Sequence, residues 1–200
     1  MRLADEGGLE SLTMRKLARE LGVEAMSLYN HVANKRDLVD GMVDVVVDEF
    51  ELPSGEEQWE AAIRTYAISA HDALLRHAWA CNPVLSPPER PSSMLGRLRN
   101  MNWLLGQLRN AGFSPDLTYH AYHVIDSHIF GFTLWQLGHR VTRDDVEDLA
   151  ATFLREIPIA DYPHAAEHVE QHMAAAPGDG ARAFEYGLDL ILEGLKRART

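Results

Sequence analysis

One cysteine, Cys81, stands in a chain of 200 residues, and no apolar run approaches the ~20 residues needed to cross a bilayer. A single thiol closes no intramolecular disulfide, and no charged-then-apolar leader opens the chain. A soluble protein of a reducing cytoplasm is therefore expected, with no membrane partner. Sustained alternation of β-branched residues is also missing, which excludes a sheet-based core. Positive charge is scarce: 19 Lys and Arg stand against 30 Asp and Glu, a formal net charge of −11. That total would exclude a nucleic-acid partner only if the charge were spread evenly, because binding follows local potential. There is no Gly-rich phosphate loop, nucleophile elbow or HExxH, and Cys81 has no nucleophile signature around it. The chain is not expected to be an enzyme; a catalytic site built from distant residues is the weakest alternative.

What is present is helix. Leucines and alanines recur at three- and four-residue spacing through 56–80, 93–111, 115–138, 144–155, 164–175 and 181–198, which predicts an all-α fold. The breaks carry Pro and Gly: Pro53-Ser54-Gly55, a loop from Pro83 to Pro91, Gly112 to Pro115, Pro158 to Pro163, and Pro177 to Gly180. Residues 1–50 hold short helices with tight turns and 51–200 longer ones. A boundary is placed near Glu51 to Gly55.

The stretch "LTMRKLARELGVEAMSLYNHVANKRDL", residues 12–38, is the most informative. Thr13 is placed to cap a helix whose Leu17 and Leu21 share a face beside Ala18, and Gly22 stops that helix as a left-handed residue would. A second helix is expected from Glu24 or Ala25 to His31. With Leu28 inward, about 100° per residue puts Met26 and Asn30 almost opposite and Ser27 and Tyr29 on the flanks. Asn34 caps a third helix, Asp37 reaches back as in a capping box, and Leu38, Met42 and Val45 are expected to form its buried stripe. A helix, a short turn and a second helix with a non-core face is the arrangement that enters a DNA major groove. Charge agrees locally: between Thr13 and Arg36, Arg15, Lys16, Arg19, Lys35 and Arg36 outweigh Glu20 and Glu24 by three. Asn30 carries the amide that pairs with adenine, and Ala25 and Met26 suit a thymine methyl.

The string "LTMRKLARELGVEAMSLYNHVANKRDLVDGMV" resembles the DNA-binding module of the TetR family of bacterial repressors, through the frame "LGV…LY.HV.NKR.L". Position by position, the resemblance implies DNA contacts from Thr13, Arg15, Ala25, Met26, Ser27, Tyr29, Asn30, His31 and Lys35. The family has a fuller first helix before "ADEGG" than Met1 to Asp5 supply, so a truncated first helix is expected. A three-helix unit of this kind used for protein binding is a further alternative.

The C-terminal part is similar to the tetracycline-repressor-like subgroup, through "NAGFSPDLTYHAYHVIDSHIFGF" and "FEYGLDLILEGLKRA". The resemblance implies a homodimer joined through helices near 115–138 and 181–198, with the stripe of Leu188, Ile191, Leu192 and Leu195 in the interface. It also implies double-stranded operator DNA and a small-molecule effector as partners. Helical position and chemistry give Tyr66, Ala70, Met101, Trp103, Leu104, Leu108, His120, His123, Ser127 and Phe130 as candidates for an effector pocket. The subgroup holds its drug through a magnesium ion bound partly by a loop histidine. The corresponding "NPVLSPPERP" has none, so an effector other than tetracycline, and no cofactor, is expected. His164, His168 and His172 recur every four residues, as a divalent ion would require. A solvated helix is the favoured reading, with a metal-sensing regulator of the same fold as the alternative.

Overall fold

The computed structural model describes residues 1–54, 58–88, 94–138, 161–168 and 180–199. Among them every regular element is helical: α1 Arg2–Ser11, α2 Met14–Leu21, α3 Ala25–Leu28, α4 Lys35–Val47, α5 Trp59–Arg76, a 3₁₀ turn Ala78–Ala80, α6 Cys81–Leu85, α7 Leu95–Asn110, α8 Pro115–Gly138, α9 Pro163–His168 and α10 Gly180–Arg199. No helix among the described residues is long and apolar enough to cross a membrane. The predicted segment 144–155 lies outside the described residues, as does His172. Residues 83–85, expected as loop, continue α6 instead. Pro83 sits in the first turn, where its missing N–H costs no intrahelical bond.

α2 begins and ends as its residues dictate. Thr13 Oγ1 accepts from the Lys16 amide at 3.1 Å. At the other end Gly22 is left-handed (φ 68°, ψ 28°). Its N–H reaches the Arg19 carbonyl at 3.3 Å and the Val23 N–H reaches Ala18 at 3.0 Å, closing a Schellman cap. The α3 turn is shorter than expected, four residues, and continues to Val32 through single-turn bonds such as His31 N–H to Leu28 O at 3.0 Å. At α4 the Asp37 amide donates to Asn34 Oδ1 at 2.9 Å, and Asp37 Oδ2 accepts from Ala33 N–H at 2.8 Å, a reciprocal cap displaced by one residue from the expected form.

α4 corrects a second expectation. Its buried stripe is Val39, Val43, Val46 and Val47, while Val45 is 53% exposed and Leu38 and Met42 are half-buried. The expected stripe was off by one residue because the packing of α4 against α5, α6 and α7, and not its periodicity alone, selects the buried face.

The core of the C-terminal part centres on α5, whose Ala62, Ala67, Ala70 and Ala73 let neighbours approach closely. α8 presents Ala121, Ile125 and Ile129 to it, α7 presents Leu104 and Leu108, and α10 presents Phe184, Leu188, Leu192 and Leu195. The stripe expected to meet a second subunit is thus largely inside the protomer, with only Ile191 partly exposed. The most apolar face of an amphipathic helix goes first to its own core. Arg64 on α5 ties down α10 through Glu185 at 2.5 Å and through Asp189.

Candidate DNA interface and ligand cavity

The reading module exposes the face anticipated for it. Met26 is 73% exposed and Tyr29, Asn30 and His31 are exposed beside it, while Leu28 turns inward and is half-buried. An apolar residue so exposed on a single turn gains nothing from burial in its own fold. Arg15 and Lys35 are exposed at the starts of α2 and α4, Thr13 is occupied as the α2 cap, and Ala25 and Ser27 are half-buried. Ser27 Oγ donates to Glu24 O at 2.7 Å and steadies the α3 turn. Lys35 Nζ donates to the Leu9 carbonyl at 2.6 Å, so this cation also holds α1 against the start of α4.

On the other side of α4 lies a cavity of about 290 Å³. Its walls are Val47 and Phe50 at the end of α4, Tyr66 of α5, Val84 and Leu85 of α6, Met94, Leu98 and Met101 at α7, and Tyr122 and Phe130 of α8, with Arg97, Asn100 and Asp126 as polar members. A mostly apolar cavity with a few polar groups is the ordinary form of a small-molecule site.

Two family models match the chain: the TetR-family bacterial regulatory protein model over residues 1–42, and the tetracycline-repressor-like C-terminal domain model over residues 52–199. The chain belongs to the TetR family. It is 31% identical to the HTH-type transcriptional repressor DrrR1 of Streptomyces coeruleorubidus, over 98% of this chain and 74% of that one. It is 29% identical to the class D tetracycline repressor protein of Escherichia coli, over 98% and 85%. The TetR-family protein ActR of Streptomyces coelicolor, solved with actinorhodin, superimposes with a TM-score of 0.77 at 25% identity, covering 99% of this chain and 93% of that one. The chain is a ligand-responsive DNA-binding transcriptional regulator, and neither the metal-sensor nor the enzyme alternative is favoured.

Within this TetR-family regulator, three of the residues anticipated for the effector, Tyr66, Met101 and Phe130, meet in the cavity. The structure does not bring the others there. Ala70, Leu104 and Leu108 are fully buried in helix packing, Trp103 donates Nε1 to the Pro53 carbonyl at 3.2 Å, and His120, His123 and Ser127 lie on the exposed face of α8. His164 and His168 are exposed on α9. Among the described residues no group of three or more His, Cys, Asp or Glu is placed to hold a metal ion.

Sequence reasoning missed the polar members of the cavity. Burial pushes the Asp126 carboxyl up to about 6, against a smaller pull from His123. Burial also raises Tyr66 and Tyr122, and the charge of Asp126 raises both further. Asn100 Nδ2 donates to Gly96 O at 2.9 Å and Val47 O at 3.3 Å, and its Oδ1 is buried with no donor. The available signal was the four-residue spacing of Tyr122, Asp126 and Phe130, beside the Ala121, Ile125 and Ile129 stripe.

Proposed function

We propose that the protein represses transcription in the cytoplasm as a homodimer on a pseudo-palindromic operator, and that a small molecule in the α4–α8 cavity releases it. One observation carries this reading: α4 starts in the reading module and ends at Val47 in the cavity wall, so filling the cavity acts on the helix that carries the DNA-binding face. In the bound form, Met26, Tyr29 and Asn30 with Ala25 and Ser27 meet base edges, and Thr13, Arg15, His31 and Lys35 meet phosphates. The effector favours the dimer in which the two α3 segments are wrongly separated for adjacent major grooves.

The dimer face is the outer side of α8 and α10. Tyr119, Val124 and Trp135 on α8 and Tyr186 and Leu190 on α10 are large apolar residues left exposed by the protomer, and Gly131 and Gly194 beside them leave open space for close helix approach. His120, His123 and Ser127 then belong to the interface rather than to the cavity.

Selection from a randomised duplex library at fixed, moderate salt tests the reading, followed by a screen for compounds that release the selected site. Enrichment of a two-fold-symmetric sequence, with release abolished by a cavity-filling Met101→Trp change, is the expected result. Folded dimer that enriches no site, or release untouched by Met101→Trp, would overturn it.

A further inference from the structure

Among the described residues that line the cavity, Arg97 is the only base, and a guanidinium keeps its charge at any pH the protein meets. Its Nη1 donates to the Ser86 carbonyl at 2.7 Å, which anchors the group just beyond α6. Its Nε and Nη2 are buried and have no acceptor. These two nitrogens form one edge of the guanidinium, and their N–H bonds run parallel at the spacing of two carboxylate oxygens. Asn100 stands three residues on, on the same face of α7, and is 4% exposed. Its NH₂ protons go to Gly96 O and Val47 O, so its Oδ1 is buried with no donor. Polar groups buried without partners cost stability in the empty protein, a charged donor most of all. A donor pair without an acceptor, one turn from an acceptor without a donor, marks the α7 wall as the place for a ligand's polar end.

Two carboxylates bear on the sign of that ligand. Asp44 on α4 lies against the first turn of α7, its Oδ1 3.4 Å from where a Cβ on Gly96 would stand, and Arg97 attracts its charge. The two do not close into a hydrogen bond, since the Arg97 edge has no partner. Asp126 lines the cavity from α8, and burial raises it to about 6, so it can give up its charge near neutrality as Arg97 cannot. An anion in the cavity thus keeps its attraction and can neutralise its repulsion. A cation would meet a fixed repulsion and an attraction that burial weakens.

The guanidinium edge has already lost its water in folding, so a ligand that pairs with it gives up only its own. Protein covers the edge in the empty form, and a turn of the long Arg97 side chain presents it to the cavity, a rotamer change of the kind that binding commonly brings. The remaining walls suit rings: Phe50, Tyr66, Tyr122 and Phe130 line the cavity, and Phe50 and Tyr66 meet edge to face at 6.2 Å.

We propose that the effector site selects an aromatic carboxylic acid, bound as its anion, whose two oxygens take the Nε and Nη2 edge of Arg97 while its rings pack among Phe50, Tyr66, Tyr122 and Phe130. The inference rests on the reading of this cavity as the effector site and adds the charge of the occupant and the residue that receives it.

The test uses two probes of one shape, 2-naphthoate, an anion at neutral pH, and its uncharged amide. Each is titrated by calorimetry into the full-length protein without DNA, and into Arg97→Gln, Arg97→Lys and Met101→Trp. The acid should bind more tightly than the amide by about tenfold or more. Arg97→Gln should bring that ratio close to one by weakening the acid. Arg97→Lys keeps the charge and loses the fork, and should give an intermediate ratio. Met101→Trp should remove binding of both. Equal binding of the two probes to the wild-type protein, both lost in Met101→Trp, would overturn the charge selection and leave the cavity reading standing. A ratio unchanged in Arg97→Gln would overturn the assignment to Arg97. Acid binding that survives Met101→Trp would overturn both readings. Failure of the wild-type protein to bind the acid would overturn the selection alone, since operator release by other compounds decides the cavity reading separately. The wild-type ratio needs no variant, and the folding of each variant is checked by its thermal transition.

Discussion

Asp5 Oδ1 accepts hydrogen bonds from His77 Nδ1 and Trp79 Nε1, each at 2.7 Å, and so joins α1 of the reading module to the turn after α5. His77 Nε2 lies 3.1 Å from Glu49 Oε1, just beyond α4, so one imidazole touches both helices that frame the module. Burial alone would raise the Asp5 carboxyl, but these two hydrogen bonds and the His77 charge outweigh it and hold it below the ordinary carboxylate range. His77→Phe keeps a ring of similar size and removes both bonds. The expected outcome is unchanged effector affinity with operator release blunted several-fold, seen by comparing the effector's binding midpoint with its release midpoint. Unchanged release would show that coupling runs through α4 alone.

Two buried groups give opposite pH dependences of stability. Asp126 is raised to about 6 in the folded protein, so its ionisation costs stability above that pH and the cost vanishes below about 4, where both states are protonated. Asp126→Asn should therefore stabilise the protein at pH 7 by on the order of 1–3 kcal/mol and be neutral near pH 4. His71 runs the other way. Burial lowers it despite Asp72 and Gln136, so the unfolded chain takes up the proton first and stability falls as pH drops below about 6.5. His71→Phe should flatten that loss. Urea unfolding of each variant against wild type between pH 4 and 7 checks both signs.

Gly22→Ala tests the cap between α2 and α3. A Cβ there meets no atom within 4 Å, so its effect is purely the strain of a left-handed φ of 68°. A loss of about 1–2 kcal/mol is expected, measured by chemical unfolding. Operator affinity should fall as well, because the cap sets the direction in which α3 leaves α2.

Leu190→Glu should split the dimer without unfolding the protomer. Leu190 is 59% exposed, whereas Leu188 and Leu192 beside it are buried and hold α10 to its own core. Light scattering after size exclusion should report a monomer with unchanged helicity; a dimer would remove α10 from the interface.

Base reading and phosphate contact separate by their salt dependence. Asn30→Ala should relax preference at one base position, worth roughly 1–3 kcal/mol of discrimination. Lys35→Ala should weaken all sequences alike and lower the salt slope by about one unit. Because Lys35 also donates to Leu9 O, affinity alone would not identify a phosphate contact, and the slope does.

The reading module was the most legible part of the chain because its signals are local. Thr13, Gly22, Asn34 and Asp37 act within four residues of themselves, and their caps form as expected or one residue displaced. The cavity was less legible because it is a gap between five helices. Periodicity identifies which face of a helix is apolar but not whether a neighbour fills it, so Leu104 and Leu108 went to the core while Met101 went to the cavity wall. Asp126 was passed over for a related reason. A carboxylate beside a buried stripe is ordinarily a solvated flank, and only the packing of α5 and α7 against α8 encloses it. The Leu188, Leu192 and Leu195 stripe of α10 was assigned outward because periodicity marks an apolar face without showing that the protomer consumes it itself.

At 13 residues and 1.5 Å per residue, α4 is a rod of about 20 Å. Pivoted at its cavity end, such a rod converts a tilt of about 6° into about 2 Å at its start, by its length alone. Val43, Val46 and Val47 are enclosed at the cavity end of α4, and its start is tied to its surroundings through Lys35 Nζ to Leu9 O and Arg36 Nη2 to Pro87 O, so a tilt of the rod is passed on to α1 and to Pro87 through those two contacts. Under the proposed release, mechanical advantage of this kind would turn a side-chain-sized displacement into a change in groove spacing.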